Sequence, residues 1–210
     1  DRKDFYPHHA IVFNEYWKEW HNKNYFFNQT KIFSLLKNND TEQNVIRLNN
    51  TVVYCYQTLV EDGRIDVNYF KEVMNKIIQS VKASGLNFVV KGHPRMSDST
   101  IDYFKEICVE VIQSDFICGG IVVGHYSSLL ARWVYEGDVL IIVELEGHDI
   151  PEPVKELATI ICYPENVAEG LKKLDYSKSE YLRLKSDFYF NFSGKNSVET
   201  ISDMLALVKD

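Results

Sequence analysis

The chain has 210 residues, 45% hydrophobic and 25% charged, enough for one substantial core or a core with a small appendage. A formal net charge of -7 and a pI near 5.4 supply no positive field for nucleic acid and argue against duplex DNA or RNA as a partner. Cys55, Cys108, Cys118 and Cys162 stand far apart, mostly inside apolar runs, the pattern of reduced core thiols; there is no zinc spacing and no apolar stretch of the ~20 residues that cross a bilayer.

In chain order, Ala10 to Phe13 reads as a strand feeding a helix around Trp17 and Trp20, and Lys31 to Leu36 as a further strand. Asn38 to Asn50 is polar and reads as a loop. A β-rich segment, Val52 to Tyr56, precedes the turn Glu61-Asp62-Gly63 and the spaced apolar residues Phe70, Val73, Met74, Ile77, Ile78 and Val81, one face of a helix that Gly85 ends. Asn87 to Lys91 is a short apolar strand that breaks at Gly92-His93-Pro94. The alternation continues with a helix over Ser99 to Ile107, a strand over Val109 to Ile112, the strand Ile121-Val122-Val123, and a helix from Ser128 to Tyr135. Next come the strand Val139 to Val143, a polar loop through Pro151 and Pro153, the strand Ala158 to Cys162, and a helix opened by Pro164 and Glu165. Near-continuous apolar strands separated by helices predict an α/β fold: a Rossmann-like parallel sheet with helices on both faces. The expected organisation is a lead-in over residues 1–50 packed on the sheet, a Rossmann-like domain over 51–194, and a docking helix over 195–210 with the stripe Val198, Ile201, Leu205 and Val208.

Ligands of open parallel sheets collect at the carboxyl ends of the strands, and two motifs fall there. Gly124-His125-Tyr126-Ser127-Ser128 enters a helix whose start offers backbone N–H groups and two hydroxyls to a phosphate. Neither serine has Glu or Gln three positions on, so no capping-box carboxylate fills the site; a serine cap would also stabilise the helix by ~1 kcal/mol with no ligand at all. In Lys91-Gly92-His93-Pro94-Arg95 the glycine permits close backbone approach, proline stiffens the turn, and His93 lies between two cations, where imidazole can donate to a phosphate oxygen as charge develops. Gln57-Thr58 follows its own strand at the same edge and suits either a base or sugar hydroxyl or loop stabilisation. Glu61 and Asp62 offer paired carboxylates that can deprotonate an acceptor hydroxyl, although Asp-Gly is first a turn signal. His125 is placed to orient the serine turn, Arg132 lies one helical turn deeper, and the acidic loop Glu144 to Glu152, with His148, reads as a solvated connection. No metal ligand set is expected, and His8-His9 has no partner ligands at useful spacing.

This ordered set, Gln57-Thr58 after a strand, then Lys91-Gly92-His93-Pro94-Arg95, then Gly124 to Leu129, resembles the C-terminal half of bacterial sialyltransferases and polysialyltransferases. The resemblance covers nearly the whole chain, with the two short motifs its distinctive part. It implies half of a GT-B fold that binds CMP-sialic acid, with His93 contacting the donor phosphate and assisting departure of CMP. Ser127 and Ser128 would bind the same phosphate, Gly92 and Pro94 would shape the loop, and Gln57, Thr58, Lys91, Arg95 and Gly124 would complete the donor site. In several such families an acidic pair before glycine belongs to the acceptor-side half, so the general base is expected from a second Rossmann-like domain preceding Asp1. The chain, which starts without Met, is expected to be a piece of a longer protein, inactive as an isolated half. The expected partners are a nucleotide-sugar donor, a surface glycan acceptor such as lipooligosaccharide or capsule, and that missing domain, with no cofactor beyond the CMP-activated substrate. A cytoplasmic chain is expected, with peripheral inner-membrane association and a homodimer compatible with it. Transfer from CDP-glycerol or a UDP-sugar, and a non-catalytic interaction module built around Tyr16, Trp17 and Trp20, are the alternatives.

Overall fold

The structure is a computed structural model, and it describes residues 9–12, 16–17, 19, 23, 29–32, 45–113, 116–190 and 192. The chain divides into two compact units, one of residues 1–42 with 180–210 and one of residues 43–179. The larger unit holds a six-stranded parallel sheet of order β5-β4-β3-β6-β7-β8, where β3 is Val45–Cys55, β4 Asn87–Lys91, β5 Glu110–Ile112, β6 Phe116–Gly124, β7 Val139–Val143 and β8 Ile160–Cys162. The expected α/β, Rossmann-like sheet is therefore what the chain forms. Strand order reverses between β3 and β6: β4 and β5 lie to one side of β3, and β6, β7 and β8 to the other. That reversal is a topological switch point, where the strand ends splay to leave a crevice.

Helix α1, Val67–Ala83, forms because Asp66 caps it, its carboxylate accepting from Asn68 N at 2.7 Å, and because Phe70, Val73, Met74, Ile77, Ile78 and Val81 bury one face. Helix α2, Asp98–Glu106, follows β4, and helix α3, Leu130–Tyr135, follows β6. A short helix α4, Glu152–Lys155, replaces part of the expected polar loop; a 3-10 turn, Pro164–Asn166, and helix α5, Val167–Lys172, follow β8. The core lies between the sheet and these helices: Val52, Tyr54, Phe88, Val90, Ile121, Val123, Val139, Ile141 and Val143 pack with α1. Trp133 of α3 is fully buried and its indole N–H donates to the Ile117 carbonyl at 2.6 Å.

Two readings of the sequence need correction here. Val45 to Asn50 is strand, not loop: it extends β3 along Phe116–Cys118 of β6, and its polar appearance reflects outward-facing Arg47, Asn49 and Asn50. The register then shifts between Arg47 and Thr51, where Leu48, Asn49 and Asn50 of β3 bulge opposite Gly119 of β6; a side chain on Gly119 would run into the Thr51 carbonyl oxygen. The thiols also differ: Cys55 and Cys118 are buried, but Cys108 is exposed, at φ 56, just beyond the end of α2.

In the smaller unit β1, His9–Val12, pairs in parallel with β2, Gln29–Ile32, and Tyr16 and Trp17 are helical. Helix α6, Ser179–Phe190, supplies their partners: the Trp17 indole donates to the Tyr189 carbonyl at 2.8 Å, and Tyr16 meets Tyr189 edge-on at 4.9 Å between ring centroids. The expected strand residues Phe33 to Leu36, Trp20, and the expected docking helix over 195–210 lie outside the described residues.

Candidate functional site

The order β4-β3-β6 brings the loop after β4, carrying His93, and the turn after β6, carrying Ser127 and Ser128, to either side of the loop after β3. At ~4.8 Å per strand spacing the two outer strands are about 10 Å apart, a span that one phosphorylated sugar can bridge.

The β4 loop is a turn closed by Met96 N–H on the His93 carbonyl at 2.9 Å. Within it the Arg95 N–H donates to His93 Nδ1 at 3.0 Å. A ring nitrogen that accepts carries no proton, so neutral His93 holds its proton on Nε2 and presents that N–H as a donor. Gly92 is closely packed: a Cβ there would lie 2.9 Å from Gln113 Cγ and 3.0 Å from Val111 Cγ1, so those side chains would have to shift to admit it. The two flanking cations are both engaged. Lys91 Nζ donates to the Gln113 carbonyl at 2.6 Å, and Arg95 pairs with Asp62 at 3.0 Å and donates to Thr58 Oγ1 at 3.0 Å. Pro94 is exposed at the tip.

The loop after β3 is thereby tied to the loop after β4, and its acidic pair divides the labour. Glu61 accepts from Tyr56 O–H at 2.6 Å, Ser97 N–H at 3.0 Å and Thr100 O–H at 3.1 Å. Ser97 caps α2 through its own hydroxyl, so Glu61 plays the role that a capping-box glutamate would play from within the helix. Burial pushes the Glu61 carboxyl up, but the bonds from Tyr56 and Ser97 outweigh it and hold it below the usual range. Asp62 is the more accessible of the two; the bond from Thr58, then that from Arg95, holds its carboxyl down and keeps it ionised. Gly63, at φ 63, completes the turn that the Asp-Gly pair announces.

The turn after β6 can be accounted for group by group. The N–H groups of His125 and Tyr126 donate to Gln57 Oε1 at 3.2 and 3.1 Å, and the Leu129 N–H donates to Ser127 Oγ at 3.2 Å. Among the described residues nothing accepts from the N–H groups of Ser127 and Ser128. Ser127 is half-buried, Ser128 exposed, and the Ser127 hydroxyl keeps its own proton to donate. Gly124 lets the buried Leu130 side chain sit against the turn: a Cβ there would lie 2.5 Å from Leu130 Cδ2 and would oblige that side chain to move. The helix itself begins at Leu130, two residues later than expected, because the bonds from Leu130, Ala131 and Arg132 run back three residues and tighten the entry. Arg132 is held by Glu136 at 2.6 Å.

Sequence reasoning missed three features. Arg64 donates to the Tyr126 hydroxyl at 3.4 Å, and the Tyr126 ring stacks on His148 at 5.7 Å, linking the β3, β6 and β7 loops. Tyr54, hidden in a buried strand, reaches His125; nothing in the strand pattern marks it. The Asp62–Arg95 pair was legible in principle, because adjacent parallel strands put their exit loops side by side. A cavity of about 600 Å³ opens at the carboxyl ends of β7 and β8, lined by Glu72, Glu144, Glu146 and Glu165 against the single Lys76; that balance does not suit a phosphate. No group of three or more metal-ligating side chains, and no helix long and apolar enough to cross a membrane, occurs among the described residues.

The alpha-2,8-polysialyltransferase (POLYST) family model matches residues 5–118, just over half of the chain. The chain belongs to this family. No curated protein and no solved structure matches it. As an alpha-2,8-polysialyltransferase family member the chain is a sialyltransferase-type glycosyltransferase. The matched span takes in Gln57, Thr58, the Glu61-Asp62-Gly63 turn and the whole loop from Lys91 to Arg95, and it ends before Gly124, Ser127 and Ser128.

Proposed function

We propose that this chain is the donor-binding half of a GT-B sialyltransferase, moving a sialyl residue with inversion from CMP-sialic acid to a hydroxyl of a surface glycan such as capsule or lipooligosaccharide. The observation that carries the reading is the pair of unsatisfied N–H groups at Ser127 and Ser128, in a turn whose neighbouring donors are all taken, two strands along the sheet from the Nε2–H of His93. Two successive backbone N–H groups are a natural seat for an anionic oxygen. In this reading the serine turn binds the donor phosphate and His93 donates to it as CMP departs, stabilising the charge that grows on the leaving group. Lys91 and Arg95 act at one remove, Lys91 on the Gln113 carbonyl and Arg95 on Asp62. Asp62 is the carboxylate that the fold brings to the His93 loop, ionised and partly accessible, and is suited to take the proton of the acceptor hydroxyl in place of a base from elsewhere. Donor half, second Rossmann-like domain and glycan would then meet at this edge of the sheet, on the cytoplasmic side of the inner membrane.

A phosphate seat by itself also admits CDP-glycerol or a UDP-sugar, and the nucleotide decides between them. Calorimetry with CMP, CDP and UDP on wild type and His93→Ala tests the reading. The expected result is binding that favours CMP and weakens at least tenfold in the variant; absence of CMP binding, or equal affinity after substitution, contradicts it.

A further inference from the structure

Gln57, Tyr54 and His125 converge on the β6 turn without any step of the proposed transfer calling on them. Gln57 Oε1 receives two successive N–H groups, those of His125 and Tyr126, at 3.2 and 3.1 Å. Beneath them the His125 ring is fixed at both nitrogens. The Val143 carbonyl at 2.8 Å can only accept, so the ring proton sits on Nδ1. Nε2 therefore accepts from the Tyr54 hydroxyl, also at 2.8 Å. Both residues are buried, and burial pushes the imidazole down to about 4, so the ring is neutral at physiological pH and this tautomer is stable. Tyr54 and Gln57 belong to β3 and its exit, His125 to the exit of β6, and Val143 to the end of β7. The turn is thus held from two neighbouring strands, across the switch point on one side and within the β6–β7 pair on the other.

A core histidine with satisfied nitrogens would by itself say only that the fold is stable. The Gln57 bonds say more, because they fall on the turn's own backbone. Two consecutive N–H groups left open at residues 125 and 126 would form an anion seat one step too early. Gln57 fills that seat with a neutral oxygen, the Ser127 hydroxyl fills the one at Leu129, and the open pair is confined to Ser127 and Ser128. We infer that Gln57, supported by the buried Tyr54–His125 pair, is a positioning residue for donor binding: its amide oxygen selects which backbone N–H groups of the β6 turn remain for the donor phosphate. This rests on the reading of that turn as the phosphate seat.

The test uses the whole chain with Gln57→Met, which keeps the length of the side chain and removes the acceptor, and Tyr54→Phe, which keeps the ring and removes the O–H. Two quantities are measured: hydrogen exchange of the His125 and Tyr126 amides in the unliganded protein, and affinities for CMP and for cytidine, which lacks the phosphate. The expected result for Gln57→Met is exchange at least tenfold faster at both amides and CMP affinity at least tenfold weaker, with cytidine affinity unchanged; Tyr54→Phe moves both in the same direction by less. A merely structural role would weaken CMP and cytidine in parallel, and that outcome overturns the inference. So does unchanged exchange, or faster exchange with undiminished CMP affinity. If wild type binds no CMP while exchange responds as expected, the phosphate-seat reading is what has failed, and the Gln57 fork stands only as a brace of the fold.

Discussion

Glu61 and Asp62 are chemically alike and adjacent, yet their neighbours give them different work. Replacing Glu61 by Ala strands the Ser97 N–H and the hydroxyls of Tyr56 and Thr100, and the expected cost is about 1–3 kcal/mol, read from the denaturation midpoint. Asp62→Asn is expected to leave the melting temperature near wild type while removing transfer measured with the second Rossmann-like domain and acceptor present; a large loss of stability there would make Asp62 a structural anchor of the Arg95 loop instead. His125 makes stability depend on pH with a definite sign. The unfolded chain takes up a proton near 6.5, whereas the folded chain resists until about 4, so in that window the unfolded state holds more protons. The contribution is whole above 6.5 and declines as pH falls towards 4, by a total on the order of 3 kcal/mol. Urea midpoints at pH 7.5, 6 and 5 check this, and a flat profile contradicts a buried neutral ring. Glu61, held low, adds its own loss only at still more acid pH.

At the scale of elements, the strands β4 and β7 were legible to the residue because each is a short apolar run with a sharp end. The first half of β3 was not, since its outward residues are polar and its pairing with Phe116–Cys118 breaks off at the irregularity before Thr51, so no continuous apolar run marks the strand. Helix α6 was also hidden: Ser186 and Asp187 are buried within it, so its inner face lacks the apolar spacing that marked α1. The bulge supplies a sharp prediction. Gly119→Ala sets a methyl against the Thr51 carbonyl, a backbone atom that cannot rotate away, and is expected to destabilise by about 1–3 kcal/mol in a denaturant titration. A neutral result would mean that β3 and β6 do not approach as closely as this register requires.

For the whole molecule, the loops of the site could be listed from the sequence, but not their wiring. Lys91 and Arg95 read as ligand cations flanking His93, yet both are held by the protein, and the open donors belong to His93 and to the serine turn. On the proposed reading, a chain of net charge -7 recognises an anionic donor through a few aimed N–H groups and not through its field. The family match reaches the His93 loop and stops short of the serines, so the union of the two halves of the site rests on the strand order β4-β3-β6. Titrating CMP into the isotopically labelled chain and following backbone amides tests that union directly. The account predicts that the largest shifts fall together on His93, Ser127 and Ser128 and saturate with one affinity. Shifts confined to one of the two loops, or centred on the acidic cavity at the ends of β7 and β8, would contradict it.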